Sequence, residues 1–262
     1  MGAALEVFKS NAKELRRSNE ELESFAYAAA HDMRSPLRAI ESLAQWTLED
    51  AGDQLPGGCR ENLEKLLSRA NRLSKLQADL LDYSRISKTN EDQRPLNLQE
   101  FVQNIQELLD PDEQFKFEID VPLQLVEVPE TPLRQILINL STNAIKHHDR
   151  RVGTISVKAE LVTGRLVVAV ADDGPGIDPR FHGRIFKLFQ TLQSRDTVEG
   201  SGLGLSFVLK HLNRHGGQIQ VLSDPAQGRG TTFIFDLPAR LAVSEFEETA
   251  MLEAEIETTH VT

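Results

Sequence analysis

A single cysteine, Cys59, leaves this 262-residue chain without an internal disulfide or a Cys-based metal cluster, which fits a reducing compartment. Long apolar runs are also lacking: no window approaches the ~18 uncharged apolar residues of a membrane span. Met1-Gly2-Ala3-Ala4-Leu5-Glu6 has neither the apolar core of a signal peptide nor the Ser/Thr that myristoylation requires. The third shortage is positive charge. Lys and Arg number 29 against 40 Asp and Glu, a net charge of -11, so bulk electrostatics attract neither nucleic acid nor an anionic membrane. A cytoplasmic protein, with no nucleic-acid partner and no direct membrane insertion, is the expectation. What is present, 40% hydrophobic and 26% charged residues, suits folded protein of two ordinary domains. The acidity is uneven: Leu241 to Thr262 holds six Glu and no Lys or Arg, and reads as a solvated tail.

From the N-terminus, apolar residues recur at spacings of three and four. Leu5, Ala12, Asn19 and Ala26 take the a positions of a heptad, and Phe8, Leu15, Leu22 and Ala29 the d positions. Four such repeats suggest a coiled coil. Asn19 is the polar exception; at an a position it fixes register and two-strand pairing, though a helix docked on its own domain tolerates it too. Ala51-Gly52-Asp53-Gln54-Leu55-Pro56-Gly57-Gly58 breaks the helix. A second helix follows, with Leu63, Leu66, Ala70, Leu73, Leu76, Leu80 and Tyr83 on one face. The two return on each other as a hairpin, and two hairpins from two chains close a four-helix bundle.

Residues 89–97 are polar, contain Pro95 and read as a linker. Beyond them the periodicity changes. Helices are predicted over Leu98–Leu109, Thr131–His148 and Gly202–His215. Strands are predicted over Gln114–Asp120, Thr154–Leu161, Arg165–Ala171, Gln218–Leu222 and Thr231–Leu237, with a Thr163-Gly164 turn. An α+β two-layer sandwich accommodates these elements. The division is thus 1–24 connector helix, 25–88 helical hairpin, 89–97 linker, 98–238 α+β domain and 239–262 acidic tail.

Three clusters in the α+β half carry chemistry. Asn139, Asn143 and Lys146 lie at i, i+4 and i+7 on one helix face, and neutral amides suit a magnesium-phosphate site; a merely polar helix surface gives the same pattern. Asp172-Asp173-Gly174-Pro175-Gly176 follows an apolar strand. There a carboxylate can accept from an exocyclic amine, and missing Cβ atoms admit a planar base; a plain turn also fits. Gly200-Ser201-Gly202-Leu203-Gly204 opens a helix, whose free N–H groups suit phosphate. It matches neither the P-loop nor the dinucleotide fingerprint. Between the last two lie Arg184 to Phe189 and a polar stretch, Gln190 to Glu199, that suits a lid.

Taken in order, these clusters resemble the N, G1, F and G2 boxes of the ATP-binding domain of sensor histidine kinases, a Bergerat-type ATPase. The likeness continues in His215-Gly216-Gly217 and Gly228-Arg229-Gly230-Thr231-Thr232-Phe233. Phe25 to Arg38, with His31-Asp32-Met33-Arg34-Ser35-Pro36, resembles the family's phosphoacceptor box in its phytochrome-like, PAS-linked His-Asp subgroup. Asp79 to Arg85 is similar to its second bundle helix. With Ala26 at a, His31 falls at f and points away from the seam.

The resemblance implies an ATP- and Mg²⁺-dependent kinase that phosphorylates His31, works as a homodimer, passes the phosphoryl group to an aspartate of a response-regulator receiver domain, and is driven by a sensor domain upstream of this chain. Asp32 is the candidate for fixing the imidazole tautomer, and Ser35 stands where many relatives carry a Thr or Asn used in a phosphatase reaction. By resemblance Asn143 ligates Mg²⁺, Asn139 and Lys146 assist at the phosphates, His147 packs on adenine in place of the commoner Tyr or Phe, and Asp172 reads the amine. Gly174, Gly176, Phe189, Gly200, Gly202, Leu203 and Gly204 complete the nucleotide site. Thr191 stands where the subgroup has a lid Arg, with Arg195 as a substitute. Two alternatives use the same parts: a gyrase- or chaperone-type ATPase, and a non-catalytic nucleotide-binding dimer acting as scaffold or phosphatase. The first needs a Glu where Asn139 stands and leaves His31 and the hairpin without a purpose; the intact Asn143, Asp172, lid glycines and His31 count against the second.

Overall fold

The computed structural model describes residues 2–51, 54–86, 93–110, 114–190 and 202–242, with backbone only for most of the chain before residue 27. Two compact units result, Met1–Thr89 and Asn90–Thr262.

In the first unit, α1 (Gly2–Ala51) and α2 (Gly57–Arg85) form the predicted hairpin. Gln77 Nε2 donates to the Ala30 carbonyl (2.6 Å) and Ser74 bonds Glu41, so later residues of one helix meet earlier residues of the other, as an antiparallel pair must. Small side chains, Ala30, Ala44, Ala70 and Ser84, are buried together with Leu81. Pro36 lies inside α1. It has no N–H for the Asp32 carbonyl four residues earlier, a local weakness of the ladder one turn beyond His31. Met33, Ile40, Leu43, Trp46, Leu66 and Leu73 remain exposed; Met33, Ile40 and Leu43 continue the a and d series. The seam positions before Tyr27 lie outside the described side chains.

The second unit is the expected two-layer sandwich. Its five-stranded sheet has the order β2 (Phe115–Asp120), β4 (Gly153–Val162), β5 (Arg165–Asp172), β7 (Thr231–Pro238), β6 (Ile219–Leu222). β2 is parallel to β4 and the other pairs are antiparallel. Alternate residues of β4, β5 and β7, among them Ile155, Val157, Leu166, Val168, Phe233, Phe235 and Leu237, are buried. They share one core with α3 (Leu98–Leu109), α4 (Glu130–Lys146) and α5 (Gly204–Arg214) through Phe101, Ile105, Ile136, Leu140, Val208 and Leu212. Asn97 caps α3 by accepting from the Gln99 and Glu100 amides. Thr163 and Gly164 both have positive φ (46° and 76°), the mirror-image turn that suits a tight hairpin.

Three short strands depart from the expected elements. β1 (Gln93–Leu96) occupies the expected linker, β8 (Arg240–Leu241) the start of the expected tail, and both pair with β3 (Val126–Pro129), for which no strand is predicted. Each is too short to show a period, and all gain their order from partners remote in sequence. Pro95 fits because β1 is an edge strand. α5 starts at Gly204 rather than Gly202, whose φ of 71° is not helical.

Candidate functional site

His31 stands on the outside of α1 with its side chain 61% exposed, as position f requires. Its Nδ1 lies 3.4 Å from Asp32 Oδ1, a long hydrogen bond. A carboxylate only accepts, so this contact selects the tautomer with hydrogen on Nδ1 and leaves the Nε2 lone pair facing solvent. Ser35, one turn on, is also exposed.

In the second unit α4 presents Asn139 and Asn143 against the start of α5. Asn139 Nδ2 donates to the Gln135 carbonyl on its own helix (2.8 Å), which turns Oδ1 outward. A Cβ on Gly204 would stand 3.0 Å from that Oδ1 and 3.8 Å from Asn143 Oδ1. Glycine thus lets the backbone approach Asn139 Oδ1 more closely than a side chain would without displacing that amide. The first amides of α5 precede Phe207 N–H, which bonds the Leu203 carbonyl, so they have no acceptor within the helix, the arrangement that suits an anion. Leu203 itself is fully buried. Lys146 and His147 are exposed at the end of α4, with His147 as its C-cap.

Asp172 ends β5. Burial raises its carboxyl pKa, against hydrogen bonds from the Gly174 and Thr231 amides that lower it. The Gly174 amide reaches Asp172 Oδ1 at 2.9 Å. Gly176, at φ 83°, closes against Ser223, whose hydroxyl accepts from the Ile177 amide and donates to the Gly230 carbonyl. This crosslink holds the glycine loop to the β6–β7 connection.

Phe189, at φ 61°, and Gly202 bring together the two ends of the expected lid: a Cβ on Gly202 would meet Phe189 Cα at 3.1 Å and the Gln190 carbonyl at 3.0 Å. Gly200, Thr191 and Arg195 lie outside the described residues. Among the described residues, no cluster of three His, Cys, Asp or Glu could hold a metal. The Asn139–Asn143–Gly204 cradle instead fits a metal that arrives with a phosphate ligand, to which an amide oxygen adds one donor.

Sequence reasoning gave no role to His148, Asp149, Asp173 and Arg229. Arg229 forms a bidentate pair with Asp149 (2.6 and 3.1 Å), and His148 Nε2 lies 3.0 Å from Asp173 Oδ1. The only available signal was their adjacency to His147, Asp172 and Gly230.

Residues 129–241 match the family described as histidine kinase-, DNA gyrase B-, and HSP90-like ATPase, and residues 21–89 match the His Kinase A (phospho-acceptor) domain. The chain is similar to phytochrome-like protein Cph1 of Synechocystis sp. (31% identical over 229 residues, 87% of this chain and 30% of the relative). It is also similar to the adaptive-response sensory kinase SasA of Gloeothece citriformis (34% identical over 224 residues, 80% of this chain and 56% of the relative). Among solved structures, full-length ShkA in complex with AMPPNP superposes with a TM-score of 0.65 at 28% identity, covering 84% of this chain and 47% of that one. The chain thus spans about a third to just over half the length of these curated relatives. No described helix is long and apolar enough to cross a membrane.

Proposed function

This chain belongs to the sensor histidine kinase family, and on that premise we propose that it is an autophosphorylating core in which ATP bound on the second unit phosphorylates His31. The observation that carries the reading is the Asn139–Asn143–Gly204 cradle, which brings two amide oxygens to the N-terminus of α5. Asn143 holds Mg²⁺, Asn139 and Lys146 serve the phosphates, and His147 and Asp172 serve the adenine, with Gly174 and Gly176 leaving room for the ring. Magnesium bound there neutralises phosphate charge. Everything else required is positioning. The Nε2 lone pair of His31 forms the P–N bond as the bond from the γ-phosphorus to ADP breaks, and the Nδ1 hydrogen, held by Asp32, is the proton the ring sheds.

Residues 25–88 then serve dimerisation and phosphotransfer. The exposed row from Met33 to Trp46, with Leu66 and Leu73, is the surface that a second copy covers. A receiver aspartate takes the phosphoryl group from the exposed ring, with Ser35 on the same stretch of helix to orient water in the reverse, phosphatase direction. A gyrase-type hydrolase is disfavoured because the Asn139 amide cannot take a proton from water. The test is incubation with γ-labelled ATP and magnesium beside the His31→Gln variant. Acid-labile, alkali-stable label on the unaltered protein alone supports the reading; steady phosphate release by both without labelled protein overturns it.

A further inference from the structure

The three residues that follow α4 are held in different ways. His147 is exposed. The His148 side chain is 1% exposed, edge-on to Phe115 with centroids 5.3 Å apart. Its Nε2 donates to Asp173 Oδ1, which also accepts from the Thr154 amide at 2.7 Å. Gly153 makes room for this arrangement, because a Cβ there would stand 2.7 Å from His148 Nε2 and 2.9 Å from Asp173 Oδ1. Asp149 turns outward to the Arg229 guanidinium, whose Nε also donates to the Asp173 carbonyl at 3.3 Å. The next residue, Gly230, has φ 97°, a value that favours glycine, and its amide donates to the Gly174 carbonyl at 2.9 Å.

Two ties thus run from the segment carrying His147 to the loop carrying Asp172 and Gly174. An isolated surface ion pair contributes little, but a bidentate pair within a network, anchored by a buried ring, is the exception. The Asn139–Asn143–Gly204 cradle takes no part in it.

We propose that Asp149 and Arg229, with His148 and Asp173, form a clamp that positions His147 and Asp172, and so determines selectivity for the base of the nucleotide without contributing to the hold on its phosphates. This rests on the reading of the site as an ATP site. Removing the clamp leaves Asp172 with its own bonds from the Gly174 and Thr231 amides but loosens the placement of the His147 segment against the Asp172 loop, so base recognition weakens while the triphosphate hold does not.

The test uses the full chain with Asp149→Asn, Arg229→Gln and the double variant, titrated with ATP, GTP and inorganic tripolyphosphate in the presence of magnesium. Each single variant is expected to raise the Kd for ATP about five- to tenfold and to shrink the preference for ATP over GTP by a similar factor. Binding of tripolyphosphate stays unchanged, and the double variant is no worse than either single one, as for two halves of one interaction. The clamp is overturned if unaltered protein prefers ATP and Arg229→Gln keeps that preference. Equal weakening of ATP and tripolyphosphate also overturns it, since that marks general loosening. Should unaltered protein bind no ATP, the reading of the site falls first and the clamp with it.

Discussion

Replacing Gly204 by alanine separates stability from function. Gly204 lies in α5 without a positive φ, so alanine fits the backbone and favours the helix by up to ~1 kcal/mol. The added Cβ lands 3.0 Å from Asn139 Oδ1, tighter than ordinary van der Waals contact. The Asn139 amide must give way by a few tenths of an ångström, while its Nδ2 bond to the Gln135 carbonyl restrains it. Losing one well-made polar contact to the magnesium-phosphate group costs about 1–2 kcal/mol, or roughly 5- to 30-fold in affinity. Titration calorimetry with MgATP is expected to show that loss, and thermal denaturation an unchanged or higher Tm. Affinity within twofold of the unaltered protein would refute the cradle; a loss of affinity together with a lower Tm would point to a damaged fold instead.

His211 makes stability depend on pH. The residue is 4% exposed, its Nδ1 has no hydrogen-bond partner among the described residues, and burial, then charge on His215, Arg214 and Lys210, lowers its pKa from 6.5 to about 4. Between these values the unfolded chain takes up a proton that the folded chain refuses, so stability falls as pH drops from 6.5 to 4, by roughly 3 kcal/mol over the whole window. Urea unfolding of His211→Leu at pH 7 and pH 4.5 should show a shallower fall than the unaltered protein; parallel curves would remove the effect. On the hairpin, Leu43→Glu with Trp46→Glu places charge on a face where each side chain is more than half exposed in the single chain. Light scattering should shift from twice 29.3 kDa to 29.3 kDa, and an unaltered mass in the variant would show that another surface pairs the chains. Phe235→Ala, at the centre of the sheet core and 1% exposed, should cost about 3–5 kcal/mol in denaturant unfolding; a loss below 1 kcal/mol would contradict the packing.

Much of the fold was legible because long elements carry their period in the chain. Leu98–Leu109 repeats its apolar residues at helical spacing and forms a helix with those bounds; the Thr163-Gly164 turn joins two strands of clear alternation. Of the candidate site, the residues written as contiguous clusters could be named from sequence, and the structure brings Asn139 and Asn143 to Gly204 and Gly174 to Asp172. Invisible were the parts made by distant pairing. β1, β3 and β8 are two to four residues each and are ordered by one another. Arg229 and Asp149 are 80 positions apart, and nothing in either neighbourhood encodes the other. Leu203 sits within a visible cluster yet turns its side chain into the core, because motif membership does not tell which way a residue faces.

On the proposed function, the nucleotide held by the α4–α5 cradle supplies the phosphoryl group of His31. Mass mapping of the full chain after incubation with MgATP, under alkaline handling that preserves a phosphoramidate, tests it beside Asn143→Ala. One phosphoryl group is expected on the peptide containing His31 in the unaltered protein and none in Asn143→Ala. A phosphoryl group on another residue, or equal modification of His31 in both proteins, would contradict it.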